Sequence, residues 1–289
     1  MSWSNMPLAV NLMLFVICAI CVWLAGSALA RYADIIADRR RLGRALMGLV
    51  FLATATSLPE IATTFTAAIQ ENAALVLGNI FGGITMQTAI LAVADIYVVR
   101  GVLTQYPRKP THALEAALLI ILLSTLLGFC IWGDLTIAFG IGLGTSVLAV
   151  AYTLCVILLR SYDEEGDWVP VDLPDMEQQI TEMTANTSIA DLPTNILIAR
   201  SVAAASVILV CGVLLVHAAE AIAMQTGLGS SFIGATILAA STSLPELSTT
   251  IAAARLGAYT MAISNIFGSN LIMLALLLPG DALYRKGPI

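Results

Sequence analysis

The octapeptide ATATSLPE at residues 53–60 recurs as AASTSLPE at residues 239–246, and each copy ends in a proline followed by a glutamate. The two glutamates are 186 residues apart. The same offset, without a gap, aligns the NIFG of residues 79–82 with the NIFG of residues 265–268. An alignment that stays in register over this length indicates an internal structural repeat.

The composition is that of a membrane protein. Hydrophobic residues make up 59% of the 289 residues and charged residues only 11%, whereas soluble domains carry about 25% charged residues. Windows of about 20 apolar residues, long enough to cross the bilayer core, occur eight times. We therefore predict an all-α polytopic membrane protein. The predicted spans are residues 8–30, 45–69, 73–99, 113–132, 135–159, 196–222, 232–255 and 258–278.

The two motifs lie in the second and seventh spans, which are five spans apart. An odd separation reverses the direction of the chain, so we expect the inverted-topology arrangement common among secondary transporters. The first repeat is assigned to residues 1–159, with its motif at 48–95, and the second to residues 196–289, with its motif at 234–281. Residues 160–195, rich in acidic side chains, are expected to form a cytoplasmic loop.

Basic residues concentrate in cytoplasmic loops, so their positions predict the orientation. An outward N-terminus places eleven of the thirteen Lys and Arg residues at cytoplasmic ends of the spans. We expect a multi-pass protein of the plasma membrane, which is the cell inner membrane if the source is bacterial.

The second repeat is shorter than the first. The first extends to about residue 159, so the 186-residue offset predicts that the second ends near residue 345. We therefore expect the 289-residue chain to be a truncated form that lacks two helices.

Glu60 and Glu246 stand near mid-span, and an ionisable residue inside a membrane indicates a functional site. Pro59 and Pro245 each remove a backbone donor and free a carbonyl oxygen one turn earlier. Carbonyl and carboxylate oxygens together suit hard cations. The alternative is a proline kink whose Ser and Thr neighbours satisfy the backbone, but its recurrence in two copies with a glutamate favours a functional site.

Other polar and small residues have more ordinary interpretations. Helical spacing places oxygen-bearing side chains on one face of each copy: Thr56, Glu60, Thr63 and Thr64 in the first, and Thr242, Glu246, Thr249 and Thr250 in the second. Asp95, Glu115 and Glu220 lie nearer to span ends, where structural or interfacial roles are expected. Small residues spaced four apart predict close helix packing. These are Gly78 and Gly82 in the first copy, and Ser264 and Gly268 in the second.

The motif pairs TSLPE and GNIFG at residues 56–60 and 78–82, and TSLPE and NIFGSN at residues 242–246 and 265–270, resemble the two α-repeats of the sodium/calcium exchanger family, within the calcium/cation antiporter superfamily. The resemblance implies an inverted-repeat antiporter fold of ten helices, of which eight are visible here. It also implies a cation site formed by helices 2, 3, 7 and 8. By position it makes Glu60 and Glu246 the main carboxylate ligands. The further oxygen ligands that it implies are Thr56, Ser57, Thr242, Ser243 and Ser269. Gln87 joins them as a candidate ligand through its amide oxygen.

Three positions depart from the family pattern, which has Ser and then Asn in helix 3, and an Asp four residues after the Ser of helix 8. This chain has Gly83, Gln87 and Met273 there. Gln87 keeps an amide oxygen, but Met273 replaces a carboxylate with a soft thioether that suits hard cations poorly. The two remaining glutamates can balance one divalent ion, two monovalent ions or two protons.

These features together predict a secondary active transporter rather than an enzyme, since no catalytic constellation such as HExxH is present. We expect it to transport small cations, Ca²⁺ with Na⁺ or H⁺, with no cofactor and no nucleic-acid partner. Two alternatives stay open. One is a cation/proton antiporter or monovalent-cation transporter, and the other is a non-transporting sensor or scaffold. The sequence does not predict the oligomeric state.

Overall fold

The computed structural model describes residues 6–40, 42–99, 101–106, 110–138, 140–164, 189, 191–227 and 239–284. Its elements are mainly helices. In chain order they are α1 (Leu8–Arg40), α2 (Arg44–Thr56), α3 (Leu58–Ile69), α4 (Ala73–Tyr97), α5 (Thr111–Trp132), β1 (Thr136–Ala138), β2 (Ile141–Gly142), α6 (Leu143–Glu164), α7 (Thr194–Gln225), α8 (Leu244–Arg255), α9 (Tyr259–Ala275) and α10 (Leu277–Leu283).

Six helical segments of the described part are long and apolar enough to cross a membrane, and the bent pair α2 and α3 would make a seventh. The six are α1, α4, α5, α6, α7 and the continuous segment of α9 and α10. The predicted seventh span, at residues 232–255, begins among residues 228–238, which lie outside the described part. Eight spans therefore stay a prediction.

The predicted fifth span, at residues 135–159, is wrong at its start. Residues before Leu143 form the antiparallel hairpin of β1 and β2. Gly133 and Gly140 have φ of 84° and 83°, a conformation that favours glycine. The Asp134 carboxylate also accepts a hydrogen bond from the Leu135 amide at 2.7 Å. Hydropathy alone merged this apolar hairpin with the helix that follows.

The predicted proline breaks are confirmed. Helices α2 and α3 meet at an angle of 52°, with Pro59 in the first turn of α3, where its missing N–H is tolerated. Ser57, at the break, has φ −79° and ψ 5°. Ser243, before Pro245 at the start of α8, has nearly the same backbone conformation, with φ −87° and ψ 6°. The two copies of the motif therefore share one local structure.

Helix α9 is the central helix of the described part. Of its most apolar stretch, continued into α10, 78% is buried, against at most 39% in the other five long spans. It contacts α2, α4, α5, α6 and α8. Buried apolar side chains form two clusters, one around α1 and α7 and the other around α4, α5 and α6, and α9 contributes to both.

Glycines bring α2 and α9 into backbone contact. A Cβ added to Gly268 would lie 2.6 Å from Leu49 Cα, and one added to Gly48 would overlap the Met261 carbonyl oxygen and lie 3.0 Å from Asn265 N of α9. The predicted close packing is thus confirmed for Gly268. At Gly78 and Gly82, by contrast, no atom of the described residues lies within 4 Å of an added Cβ.

Several sequence predictions concern residues outside the described part. Most of the acidic loop, residues 165–188 and 190, belongs to them. So do basic residues used for the orientation, namely Arg41, Arg100, Arg108, Lys109, Arg285 and Lys286. The loop, the domain boundaries and the outward N-terminus stay predictions.

Replacing Gly268 with alanine should destabilise the protein by about 1–3 kcal/mol. The new methyl group would overlap backbone atoms of Leu49, which cannot move away by a change of rotamer. Thermal unfolding in detergent measures the change. The matched control is Gly128→Ala in α5, where an added Cβ would lie 3.7 Å from Trp132 Cζ3, an ordinary contact. Equal melting temperatures for the two variants would contradict the proposed tight α2–α9 packing.

Candidate functional site

The two predicted carboxylates lie at equivalent places in the fold. Glu60 is in the first turn of α3 and Glu246 in the first turn of α8, and both residues are 0% exposed. A carboxylate at a helix N-terminus is favoured by the helix dipole. The two side chains are close enough for the charge of Glu246 to act on Glu60. The structure therefore brings the two repeats together at their acidic residues.

Hydroxyl groups join the two copies around Glu246. Ser57 Oγ lies 3.3 Å from Glu246 Oε1 and 3.0 Å from Ser269 Oγ, as a possible donor to either. The hydroxyl oxygens of Thr56 and Ser269 also lie near the Glu246 carboxylate. Five of the predicted site residues, Glu60 included, thus form one cluster, although they come from helices far apart in the sequence.

Several oxygen atoms of this region have no hydrogen-bond partner among the described residues. They are both carboxylate oxygens of Glu60, Glu246 Oε2 and Ser243 Oγ. Buried polar groups in proteins are almost always hydrogen-bonded, so such exceptions need an explanation. Carboxylate and hydroxyl oxygens are the ligands that hard cations prefer. The donor set therefore fits a small cation.

Two asparagines of the NIFG motifs hold the glutamate-bearing helices in place. Asn79 Nδ2 donates to Thr64 Oγ1 at 2.8 Å, between α4 and α3. Its equivalent Asn265 donates to the hydroxyls of Thr249 at 3.0 Å and Thr250 at 3.2 Å, between α9 and α8. The threonine stripes noted in the sequence thus serve in helix packing. The recurrence of Asn in both motifs was the signal for this role.

Thr242 lies at the edge of the site and is nearly buried. Its hydroxyl donates to the Ala239 carbonyl at 2.9 Å. The hydroxyl oxygen can therefore still act as an acceptor or as a cation ligand. Thr242 also lines a cavity of about 200 Å³, together with Thr63, Asn79 and Glu220. The other lining residues belong to α3, α4 and α7.

The three positions that depart from the family pattern lie on α4 and α9. Gln87 is fully buried, and neither atom of its amide has a hydrogen-bond partner in the described part. Gly83, one turn earlier, is buried beside Met273. A Cβ at position 83 would lie 3.4 Å from Met273 Cε. A side chain at position 83 would therefore touch Met273.

Glu115 lies near the start of α5 and has the expected structural role, although it is fully buried rather than interfacial. Its Oε1 accepts a hydrogen bond from Ser264 Oγ at 2.6 Å, and its Oε2 lies 2.9 Å from His112 Nδ1. The i, i+3 spacing of His112 and Glu115 was the available signal. Asp95 has the expected structural role, since it accepts from the Leu103 amide at 2.6 Å.

The model of the family described as "Sodium/calcium exchanger protein" matches residues 10–159 and 196–288. These two matched segments cover most of the chain and include both motif pairs. The chain belongs to the sodium/calcium exchanger family. The resemblance predicted from the motifs is thereby confirmed.

Two curated relatives are similar over most of this exchanger-family chain. The putative antiporter CaxA of Alkalimonas amylolytica is 27% identical over 267 residues, which cover 89% of this chain and 75% of CaxA. The inner membrane protein YrbG of Escherichia coli (strain K12) is 25% identical over 250 residues, which cover 84% of this chain and 70% of YrbG. Together with its several apolar helices of membrane-spanning length, this similarity supports a multi-pass membrane protein.

Solved structures of the sodium-calcium exchanger NCX_Mj share the fold. One soaked with Na⁺ and Sr²⁺ aligns with a TM-score of 0.71 and 19% identity, covering 98% of this chain and 85% of that one. Another, without Na⁺ and Ca²⁺, aligns with a TM-score of 0.66 and covers 95% of this chain and 82% of that one. The chain therefore has the helical fold of these exchangers, and its membership of the exchanger family makes it a cation antiporter.

Replacing Asn265 with alanine should cost about 1–3 kcal/mol of stability, because it leaves two buried threonine hydroxyls without their donor. Asn79→Ala should cost less, since Asn79 is partly exposed and water can replace its amide. Denaturant unfolding in detergent compares the two variants. An equal or larger loss for Asn79→Ala would show that burial does not decide the strength of these contacts.

Proposed function

We propose that this chain exchanges Ca²⁺ for a monovalent cation, Na⁺ or H⁺, at a site between Glu60 and Glu246. The observation that carries the proposal is the pair of fully buried carboxylates, one from each repeat, with three oxygens that have no partner among the described residues. Burying such groups is costly unless a counter-charge is bound. A cation supplies that charge.

Hydroxyl oxygens complete the proposed ligand set. Ca²⁺ takes six to eight oxygen ligands, more than two carboxylates offer. Ser57 Oγ lies 3.3 Å from Glu246 Oε1, and the hydroxyls of Thr56 and Ser269 lie near the same carboxylate. Thr56 Oγ1 donates its proton to the Leu52 carbonyl at 3.0 Å, so its lone pairs are free to face a cation. The other proposed ligands are Thr242, Ser243 and Gln87.

Alternating access is the proposed use of the repeat. Nearly equal backbone angles at Ser57 and Ser243, and matching amide contacts at Asn79 and Asn265, support two equivalent units of inverted topology. With the predicted orientation, the cavity beside Thr242 opens to the outside. The site then opens alternately to the two sides of the membrane as the two units move relative to each other.

Competition for one carboxylate pair couples the two cations. Two ionised glutamates balance one Ca²⁺, two Na⁺ or two protons, so binding of one species displaces the other. The energy comes from the gradient of the monovalent ion. A cation/proton antiporter is the second candidate, because carboxylates that face no basic group among the described residues can also take up protons.

Calcium-45 uptake into proteoliposomes tests this function. An imposed Na⁺ gradient should drive uptake, and both Glu60→Gln and Glu246→Gln should slow it by more than about tenfold, as removal of a metal ligand does. Asp38→Asn is the matched control. It also removes one carboxylate, but Asp38 forms an exposed ion pair with Arg44, which contributes little.

The outcomes separate the candidates. Uptake driven by a pH gradient and not by Na⁺ would establish the cation/proton antiporter. No Ca²⁺ flux under either gradient would reject calcium exchange, and Ca²⁺ binding without flux would favour a sensor.

A further inference from the structure

We infer that Glu220 forms an outer cation-binding site at the entrance of the cavity that borders both copies of the motif. Its ligand is a hydrated metal cation, which the carboxylate attracts before the ion reaches Glu60 and Glu246. The inference rests on the proposed function and adds to it a residue that lies outside both motifs.

The cavity is bounded by three helices and by the second motif. Its wall includes Thr63 of α3, Asn79 of α4, Glu220 of α7 and Thr242, which lies four residues before Glu246. Its volume is about 200 Å³, and a water molecule takes up about 30 Å³ in the liquid. The cavity is therefore large enough for a cation with part of its hydration shell.

Two residues of the cavity wall are hydrogen-bonded to the backbone of Glu60. Thr63 Oγ1 donates to the Glu60 carbonyl at 2.9 Å. Asn79 Nδ2 lies 3.4 Å from the same carbonyl and 3.3 Å from Thr63 Oγ1, as a donor to either. The cavity therefore reaches the turn of α3 that carries Glu60.

Among the described residues that line the cavity, Glu220 is the only acid. Its side chain is 51% exposed, whereas Thr242 in the same wall is 5% exposed. His217 Nδ1 lies 3.6 Å from Glu220 Oε2, which is too long for a hydrogen bond. The Glu220 carboxylate therefore faces water at the exposed part of the cavity, where a hydrated cation can reach it.

The internal repeat shows how Glu220 differs from its equivalent in the first copy. The 186-residue offset aligns Glu220 with Asp34. Asp34 Oδ1 accepts a hydrogen bond from Arg44 Nε at 2.8 Å, and the Asp34 side chain is only 17% exposed. The same offset aligns Arg44 with Ser230, which carries no charge. The first copy therefore balances its acid with an arginine, and the second copy has no base at the equivalent position.

The charges around the entrance favour cations over anions. In the described wall of the cavity, His217 is the only side chain that can carry a positive charge. Glu71 directly follows Gln70 of that wall and adds a second acid to this region. Residues 228–238, which the structure does not describe, contain no ionisable side chain. Because a cleft lined by charge of one sign concentrates ions of the opposite sign, the entrance should attract cations.

Charge-selective thiol modification in detergent tests the outer site without requiring transport. Ala62 lines the cavity, so Ala62→Cys places one reactive thiol there once the five native cysteines are replaced by alanine. The measured quantity is the rate of modification by a cationic methanethiosulfonate divided by the rate for an anionic one. Adding Glu220→Gln should lower this ratio by about three- to tenfold at low ionic strength, and high salt should remove most of the difference.

Two further variants control for the charge. Asp38→Asn also removes one carboxylate, but Asp38 lies about 40 Å along α1 from Asn11, whose side chain contacts Gln225 near the Glu220 end of α7. It should leave the ratio unchanged. Glu220→Asp retains the charge and should retain most of the ratio. An unchanged ratio in Glu220→Gln, or an equal fall in Asp38→Asn, would overturn the outer site.

Calcium-45 uptake tests whether the outer site serves transport. In molecules whose cavity faces the added Ca²⁺, Glu220→Gln should raise the Ca²⁺ concentration for half-maximal uptake by about three- to tenfold. The maximal rate should not change, because the outer site affects the arrival of the ion and not its passage. An unchanged half-maximal concentration would overturn the inference and leave the exchanger function intact. An absence of Ca²⁺ flux in the native chain would instead reject the proposed function, and the modification rates would still decide whether Glu220 attracts cations.

Discussion

The burial of two carboxylates in a membrane-spanning bundle is the constraint on which the rest of the structure depends. Glu60 and Glu246 are fully buried, and a charge in such surroundings needs compensation. The helix breaks at Ser57 and Ser243 meet part of this need, since each places its glutamate in the first turn of a new helix, where the helix dipole favours negative charge. Hydroxyl groups from the opposite copy provide further polar surroundings.

Holding these polar groups in place requires close helix packing. Gly48 and Gly268 let α2 and α9 approach with their backbones in contact. The amides of Asn79 and Asn265 then tie each glutamate-bearing helix to its successor. Packing in lipid gains little from the hydrophobic effect, so small residues and interhelical hydrogen bonds carry much of the specificity. The central position of α9 follows from these contacts.

The buried acidic residues fall into two groups according to whether their oxygens have hydrogen-bond partners in the described part. Glu115 and Asp281 are satisfied by protein partners, and this is the pattern of a structural role. Glu60 has no partner for either oxygen in the described part, which is the pattern of a ligand-binding role. Gly83 and Met273, which depart from the family pattern, lie next to each other between α4 and α9.

The sequence by itself determined the repeat, most of the spans, the proline breaks and the pairing of Glu60 with Glu246, because apolar length, proline and intramembrane charge act locally and can be recognised in a linear pattern. It failed at residues 135–142, where an apolar hairpin has the same hydropathy as a helix. Only the tertiary structure decided the contact of Ser57 with Ser269, the burial of Glu115 against Ser264 and the placement of Gly83 next to Met273. These contacts join residues far apart in the chain, and their geometry depends on how whole helices pack.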